Sequence, residues 1–254
     1  MTPLIKKTLL FTTLGLGGVI LFVFSFGSLD PLSTNIKRPP QITRLEALPP
    51  EQPSLSKTNI TESVATLVAG EIVAQNPDGP KSVEGEQVGL QTIDPGKLTE
   101  ETLAKAFAEV NIEDLRPKIT LQNLIIIKST EKALAEAYFK NIGAMVTENF
   151  PAGTSINWDD PARTNFTALI DAYDRSMNEG LAIAVPQDLA ELHRRYLSLL
   201  GAERNTLTLI KNYQLDPAQA TVAIEAGNQF TTELLRVLTE MDSYVATHNL
   251  KITS

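Results

Sequence analysis

The sequence predicts an all-α protein in three parts: an N-terminal transmembrane helix, a Pro-rich stalk and an antiparallel four-helix bundle outside the membrane. Three observations predict it. An uncharged stretch, Thr8 to Phe26, follows Lys6 and Lys7; six prolines fall between Asp30 and Lys57; and beyond Ser129 apolar residues recur every three or four positions in four successive runs. The expected divisions are 1–7 as a cytoplasmic N-terminus, 8–29 as the anchor, 30–58 as the stalk, 59–128 as short helices and loops packing on the bundle, and 129–254 as the bundle.

As a helix rising about 1.5 Å per residue, the Thr8 to Phe26 stretch covers roughly 28 Å, close to the hydrocarbon thickness of a bilayer. Because lysines stay on the cytoplasmic side, the Lys6–Lys7 pair puts the N-terminus inside and residues 30–254 outside, in a single-pass arrangement with the lipid bilayer as partner for residues 8–29. A cleaved signal peptide has an apolar core of about 7–15 residues ending at a small-residue site. Ser25 and Gly27 offer only a poor site, and the apolar run is longer than that class needs, so retention as an anchor is the expectation. Gly15-Leu16-Gly17-Gly18 inside the span is read first as a chance cluster of glycines; the alternative is a close helix approach that favours a homo-oligomer.

Charge is divided unevenly. Every acidic residue lies at or after Asp30 while Lys6 and Lys7 precede it, which leaves the outer part with 20 basic against 30 acidic side chains, a net charge of −10. Such a surface repels nucleic acid and anionic lipid. The chain has no cysteine, which removes disulfides, thiolate metal sites, C-x-x-C-H haem attachment and thiol nucleophiles together. An exported chain of this size without disulfides fits a bacterial cell envelope. The triplets Asn59-Ile60-Thr61 and Asn165-Phe166-Thr167 match the glycosylation pattern at the frequency expected by chance.

From Asp30 to Lys57 the prolines favour extended, polyproline-like chain. Asn59 followed by Glu62 resembles a capping box, and Ile60, Val64, Leu67 and Val68 fall on one face of a helix that runs to about Gln75 and is stopped by Asn76-Pro77. Thr99 can cap a second helix with Leu103, Phe107 and Val110 on its apolar side and Pro117 beyond it. The Lys118 to Lys128 stretch, with Leu124-Ile125-Ile126-Ile127, reads as an extended crossing segment.

The bundle helices follow. Ser129 or Thr130 starts the first, whose stripe is Leu134, Tyr138, Ile142 and Met145; Pro151-Ala152-Gly153 ends it. Asp160-Pro161 supplies an N-cap and an N1 proline for the second, with Phe166, Leu169, Ile170, Tyr173 and Met177 as stripe and Gly180 as terminator. Val185-Pro186 opens the third, with Leu189, Leu192, Tyr196, Leu199, Leu200, Leu207 and Ile210. Asp216-Pro217 opens the fourth, in which Ala220, Ala223, Ile224, Gly227, Phe230, Leu234, Leu238, Met241 and Val245 keep to one side. Long amphipathic helices joined by tight turns stack antiparallel, and four close most simply as an up-down bundle over 130–248.

Three side chains stand out as candidate binding or functional positions. His193 sits at the edge of its helix's apolar stripe, as a ligand in a bundle core or as a half-buried imidazole bonded to the next helix. Glu203 falls near the centre of the same stripe, where a carboxylate must meet a cation, be protonated or mark a solvated widening; the solvated widening is the expectation. Trp158, the one tryptophan, lies in the polar 151–160 loop, as a lid on the bundle or an anchor for a partner. Asp159 and Asp160 resemble paired carboxylates, but Asp160 is accounted for as a cap. No Gly-x-Ser-x-Gly, phosphate-binding glycine loop ahead of a helix or Glu-x-x-His pair occurs, and no catalytic residue, cofactor or metal ligand is assigned.

The run Val185-Pro186-Gln187-Asp188-Leu189-Ala190-Glu191-Leu192-His193, its leucine-rich continuation to Leu200, and Asp216-Pro217-Ala218-Gln219-Ala220 before a final long helix resemble uncharacterised single-span exported helical-bundle proteins of small-genome uncultivated bacteria. The resemblance covers residues 130–252 and implies an envelope location and a helical outer domain, with no activity to carry over. The expectation for function is a non-enzymatic module that binds or positions another envelope protein, in a secretion, pilus or surface-assembly system. The alternative is a bundle holding a small ligand or metal through Glu203, His193 and Tyr196 or Tyr213; a cell-wall hydrolase lacks the paired acids or triad it would need. Replacing Leu234 by Asp is expected to unfold the outer domain, because a charge in the centre of the last stripe costs several kcal/mol; loss of far-ultraviolet helicity in that variant is the measurement.

Overall fold

The structure is a computed structural model that describes residues 59–77, 110–151 and 164–252, together with Pro53, Leu55 and Lys105. The expected membrane span, the stalk before Pro53, most of the 99–109 helix, and the connection carrying Trp158 and Asp160-Pro161 lie outside the described residues. Among the described residues no helix is long and apolar enough to cross a membrane.

The described protein is mostly helical. Five α-helices have bounds within it: α1 (Ile60–Gln75), α2 (Lys132–Asn149), α3 (Phe166–Ala182), α4 (Ala190–Lys211) and α5 (Pro217–Thr247). Two three-residue strands, β1 (Ile125–Ile127) and β2 (Ala184–Pro186), pair in parallel with Ile126 opposite Val185.

Helix α4 is the centre of the packing. On one flank α3 runs antiparallel to it, with Asp174 meeting Arg204 near one end and Gly180 meeting His193 near the other. On the other flank α5 is also antiparallel, as the pairs Arg195–Glu240 and Glu203–Thr231 show. A third side is covered by the segment from Ile112 to Leu124, which crosses α4 in the opposite direction. Asn205 Nδ2 donates to Leu115 O at 2.8 Å, Pro117 lies over Gly201, and Arg194 Nη1 donates to Ile119 O at 3.3 Å. A Cβ on Gly201 would stand 2.3 Å from Pro117 Cγ, so this crossing needs glycine there. Helix α2 joins through Asn149, which bonds Arg175 and Glu179 of α3, and through the rings of Phe139 and Tyr244, 6.0 Å apart. The shared core is apolar and closely covered, with Leu197, Leu200, Ala223, Phe230, Val237 and Met241 wholly buried.

Several boundaries differ from the sequence reading, each for a local reason. Val185-Pro186 is strand β2 rather than a helix start: β1 takes up its backbone, and the residue before a proline is steered to extended φ and ψ. A 3-10 turn, Gln187–Leu189, then leads into α4 at Ala190. Helix α3 is capped by Asn165, whose side chain accepts from Ala168 N at 3.1 Å, and not by Asp160-Pro161. Gly180 is not the terminator of α3, which continues to Ala182; it is buried in the last turn, where a Cβ would stand 2.4 Å from Leu197 Cδ2. Helix α2 starts at Lys132 rather than at Ser129 or Thr130. The 118–128 stretch holds a 3-10 turn, Leu121–Asn123, and strand β1. Ile224 and Leu67, both placed on apolar stripes, are exposed.

The Asn59 and Asp216 caps are where the spacing puts them. Asp216 also does more than cap its own helix. Its carboxylate accepts from Gln219 N at 3.0 Å at the start of α5, and from Ile60 N at 2.7 Å and Thr61 Oγ1 at 2.6 Å at the start of α1. Two helix N-termini, each with unsatisfied amides and a positive dipole end, therefore converge on one buried carboxylate. Burial works to raise the Asp216 pKa, but bonds from Thr61, Gln219 and Ile60 outweigh it and hold the group below its ordinary value. Asp216→Ala is expected to lose on the order of 1–3 kcal/mol and to free α1 first, read as faster amide exchange over 60–75 than over α4. The wild type is expected to show the same loosening as pH falls below the ordinary aspartate range, since a depressed carboxyl pKa contributes stability that disappears on protonation.

Candidate functional site

The inward face of α4 carries polar groups among its leucines. His193, Tyr196 and Glu203 are three and seven residues apart, which sets them on one side of the helix. Facing elements add Tyr138 from α2, Tyr173 and Ser176 from α3, and Thr231 from α5, all buried. These groups form a polar stripe inside an apolar core.

At one end, His193 is fully buried and both ring nitrogens are engaged. Nε2 lies 3.0 Å from Gly180 O, and Nδ1 lies 3.1 Å from Tyr138 Oη. A carbonyl only accepts, so Nε2 carries the proton and Nδ1 accepts from the Tyr138 hydroxyl. The Gly180 carbonyl is available because α3 ends two residues later, which leaves it among the last-turn carbonyls without an i+4 amide. Burial pushes the His193 pKa down to about 4, against a smaller upward pull from the Gly180 carbonyl, so the imidazole is neutral at pH 7. The sequence reading has a half-buried imidazole bonded to the next helix; the ring is instead wholly buried and bonded to the two preceding helices, α3 and α2, with no free nitrogen lone pair for a metal.

Glu203 lies farther along the same face, 1 % exposed, which overturns the expectation of a solvated widening. Thr231 Oγ1 donates to Oε1 at 2.6 Å, while Oε2 has no partner among the described residues. Burial pushes this carboxyl up to about 8, opposed only by the Thr231 bond, and Glu203 is protonated at neutral pH. The other branch of the sequence reading, a neutral buried acid, is the one found.

Between them stand the phenols. Tyr196 is raised by burial; Tyr173 is raised by burial, then by Glu203 and Tyr196; Tyr138 is raised by burial, then by Tyr196. Ser176 Oγ, like Glu203 Oε2, is buried without a partner among the described residues. Tyr213, named with Tyr196 as a neighbour of the candidate ligand set, lies instead in the α4–α5 turn and is 55 % exposed, away from the stripe. Trp158 lies outside the described residues. No group of three or more His, Asp or Glu among the described residues is placed to hold a metal ion.

Comparison with protein-family models, with curated proteins and with solved structures returns no match. The site is therefore read from its own geometry. Sequence reasoning missed Tyr173, Ser176 and Thr231 as members of the stripe. For Thr231 no signal exists in the sequence, since Thr206, Thr221 and Thr239 occupy comparable helical positions and simply bond the carbonyl four residues back. For Tyr138 the signal was present: it shares the α2 stripe, and a buried phenol needs a hydroxyl partner.

His193 fixes a pH dependence. Its folded pKa lies below its unfolded value, so the unfolded state binds the extra proton and stability falls as pH drops from about 6.5 toward 4. His193→Gln, whose amide can donate to Gly180 O and accept from Tyr138, is expected to be mild at pH 7. It should also lack the part of the acid loss due to imidazole, about 3 kcal/mol. Urea midpoints of wild type and variant at neutral and acid pH check both.

Proposed function

We propose that this chain is a membrane-anchored extracytoplasmic module of the cell envelope, in which an antiparallel four-helix bundle of α2 to α5 binds or positions another envelope protein. The observation that carries it is the uncharged Thr8 to Phe26 stretch behind Lys6 and Lys7, followed at once by proline-rich chain. That order fits an anchor, a spacer and a displayed body.

The antiparallel pairs α3 with α4 and α4 with α5 support the bundle reading. So do the contacts that bring α2 toward the end of α5: Phe139 against Tyr244, and Lys132 Nζ donating to Asn249 O at 2.6 Å. A non-catalytic role is favoured because His193 is neutral with both nitrogens engaged, and Glu203 is sequestered with a threonine as its one side-chain partner among the described residues. Neither reaches a nucleophile. The small-ligand reading keeps one specific support, the unpartnered Glu203 Oε2 and Ser176 Oγ in the core. Native mass spectrometry of the purified chain separates the two, with a stoichiometric small molecule favouring the ligand site and an empty protein the partner role.

A tag fused after Ser254 is expected to be digested by protease in intact spheroplasts, and crosslinked membranes to return a protein partner on purification. A tag cut only after lysis overturns the topology. Membranes that yield no crosslinked protein overturn the partner role while leaving the anchor in place.

A further inference from the structure

We propose that Glu203 makes the contact between α4 and α5 a proton-sensitive joint, closed while its carboxyl is neutral and loosened when the proton passes to solvent. The geometry carries this. The side chain projects from the middle of α4 into the face shared with α5, is 1 % exposed, and among the described residues is held by one side-chain bond, from Thr231 Oγ1 to Oε1 at 2.6 Å. Thr231 is the partner from α5 itself, so the bond ties the two helices together. Neighbouring hydroxyls on α5, those of Thr232 and Thr239, bond their own helix four residues back, whereas that of Thr231 is directed across the interface.

Among the described residues no cation pairs with this carboxyl. On α4, Arg204 is paired with Asp174 of α3, and Arg195 with Glu240 of α5. In the crossing segment Arg116 is engaged by Glu113 and Glu233 and lies 4.8 Å over the Phe230 ring. From α3 the titratable group that feels Glu203 is Tyr173, and a phenol beside a new carboxylate is driven further toward its neutral form. From α2, Tyr138 bonds His193 rather than Glu203. Ionisation would leave Oε2 as an uncompensated charge in the buried face between α4 and α5, and the available relief is water, admitted by separating the two helices.

The sign follows from linkage. A carboxyl whose folded pKa is raised stays protonated in the folded state after the unfolded state has ionised, so stability declines as pH rises between the two values. The joint therefore weakens toward alkaline pH. This inference does not depend on the membrane topology.

The test uses the full chain, labelled with carboxyl-enriched glutamate, in a pH titration followed by carbon NMR. Hydrogen exchange over residues 217–247 is measured beside it at about pH 6.5 and about pH 9.5 and corrected for intrinsic rates. One carboxyl is expected to titrate about two or more pH units above the others and to be missing from Glu203→Gln. Protection of α5 is expected to fall about tenfold or more in the wild type relative to that variant. If Glu203→Gln does not fold, Thr231→Val serves: it removes the one bond favouring the charged form, so the high midpoint should move higher. The proposal is overturned if every glutamate titrates in the ordinary range, if both proteins lose α5 protection in parallel, or if Thr231→Val leaves the midpoint unmoved.

Discussion

The enclosure of α4 on three sides is the constraint on which the rest of the described structure depends. Fourteen of its 22 residues are buried, too many for a single apolar stripe, so α3, α5 and the crossing segment must each find their own face of it. Small residues at two points make this feasible: Gly180 lets Leu197 settle against α3, and Gly201 admits Pro117 from the opposite side. The short β1–β2 pair plays the same part at the approach to the helix. It fixes the chain just before α4 begins, so that the 3-10 turn delivers Ala190 already facing inward.

A helix buried on several faces exposes little of its surface to water, and the polar residues it carries must be satisfied inside. The acid and the base on α4 are both held neutral by the same low-dielectric surroundings, although water would leave the acid ionised at pH 7. Their linkages run in opposite directions, and they overlap between the ordinary glutamate and histidine values. There one group gives up stability with each added proton and the other with each proton removed. The folded state is consequently held in a window by two residues that do not touch, one bonded to α2 and α3 and the other to α5.

Much of the helical framework was legible because long amphipathic runs leave strong periodic patterns. Phe230, Leu234, Leu238 and Met241 of α5 and Tyr196, Leu199, Leu200 and Leu207 of α4 are buried as their spacing requires, and Asp216-Pro217 starts α5 as its chemistry dictates. What could not be read is what depends on distant chain. Ile125–Ile127 becomes a strand only because Ala184–Pro186 lies beside it, and that pairing removes Val185-Pro186 from the helix it otherwise resembles. Asp160 and Asn165 are both competent caps, and short-range rules do not choose between them. Glu203 could be recognised as anomalous, but the face it meets is assembled from three separate elements. Its true surroundings, and the choice of Thr231 from among several similar threonines, follow from tertiary register alone.

The double cap at Asp216 has a mechanical consequence. Tension applied to the chain ahead of Pro53 enters the folded body at the bonds from Leu55 N to Gln219 Oε1 and from Ile60 N and Thr61 to Asp216. These clamps sit at the first turn of α5, so a pull is borne by hydrogen bonds there while the α4 interior stays unloaded. Helix α1 lies behind these clamps in the chain, so they must open before a pull reaches its turns.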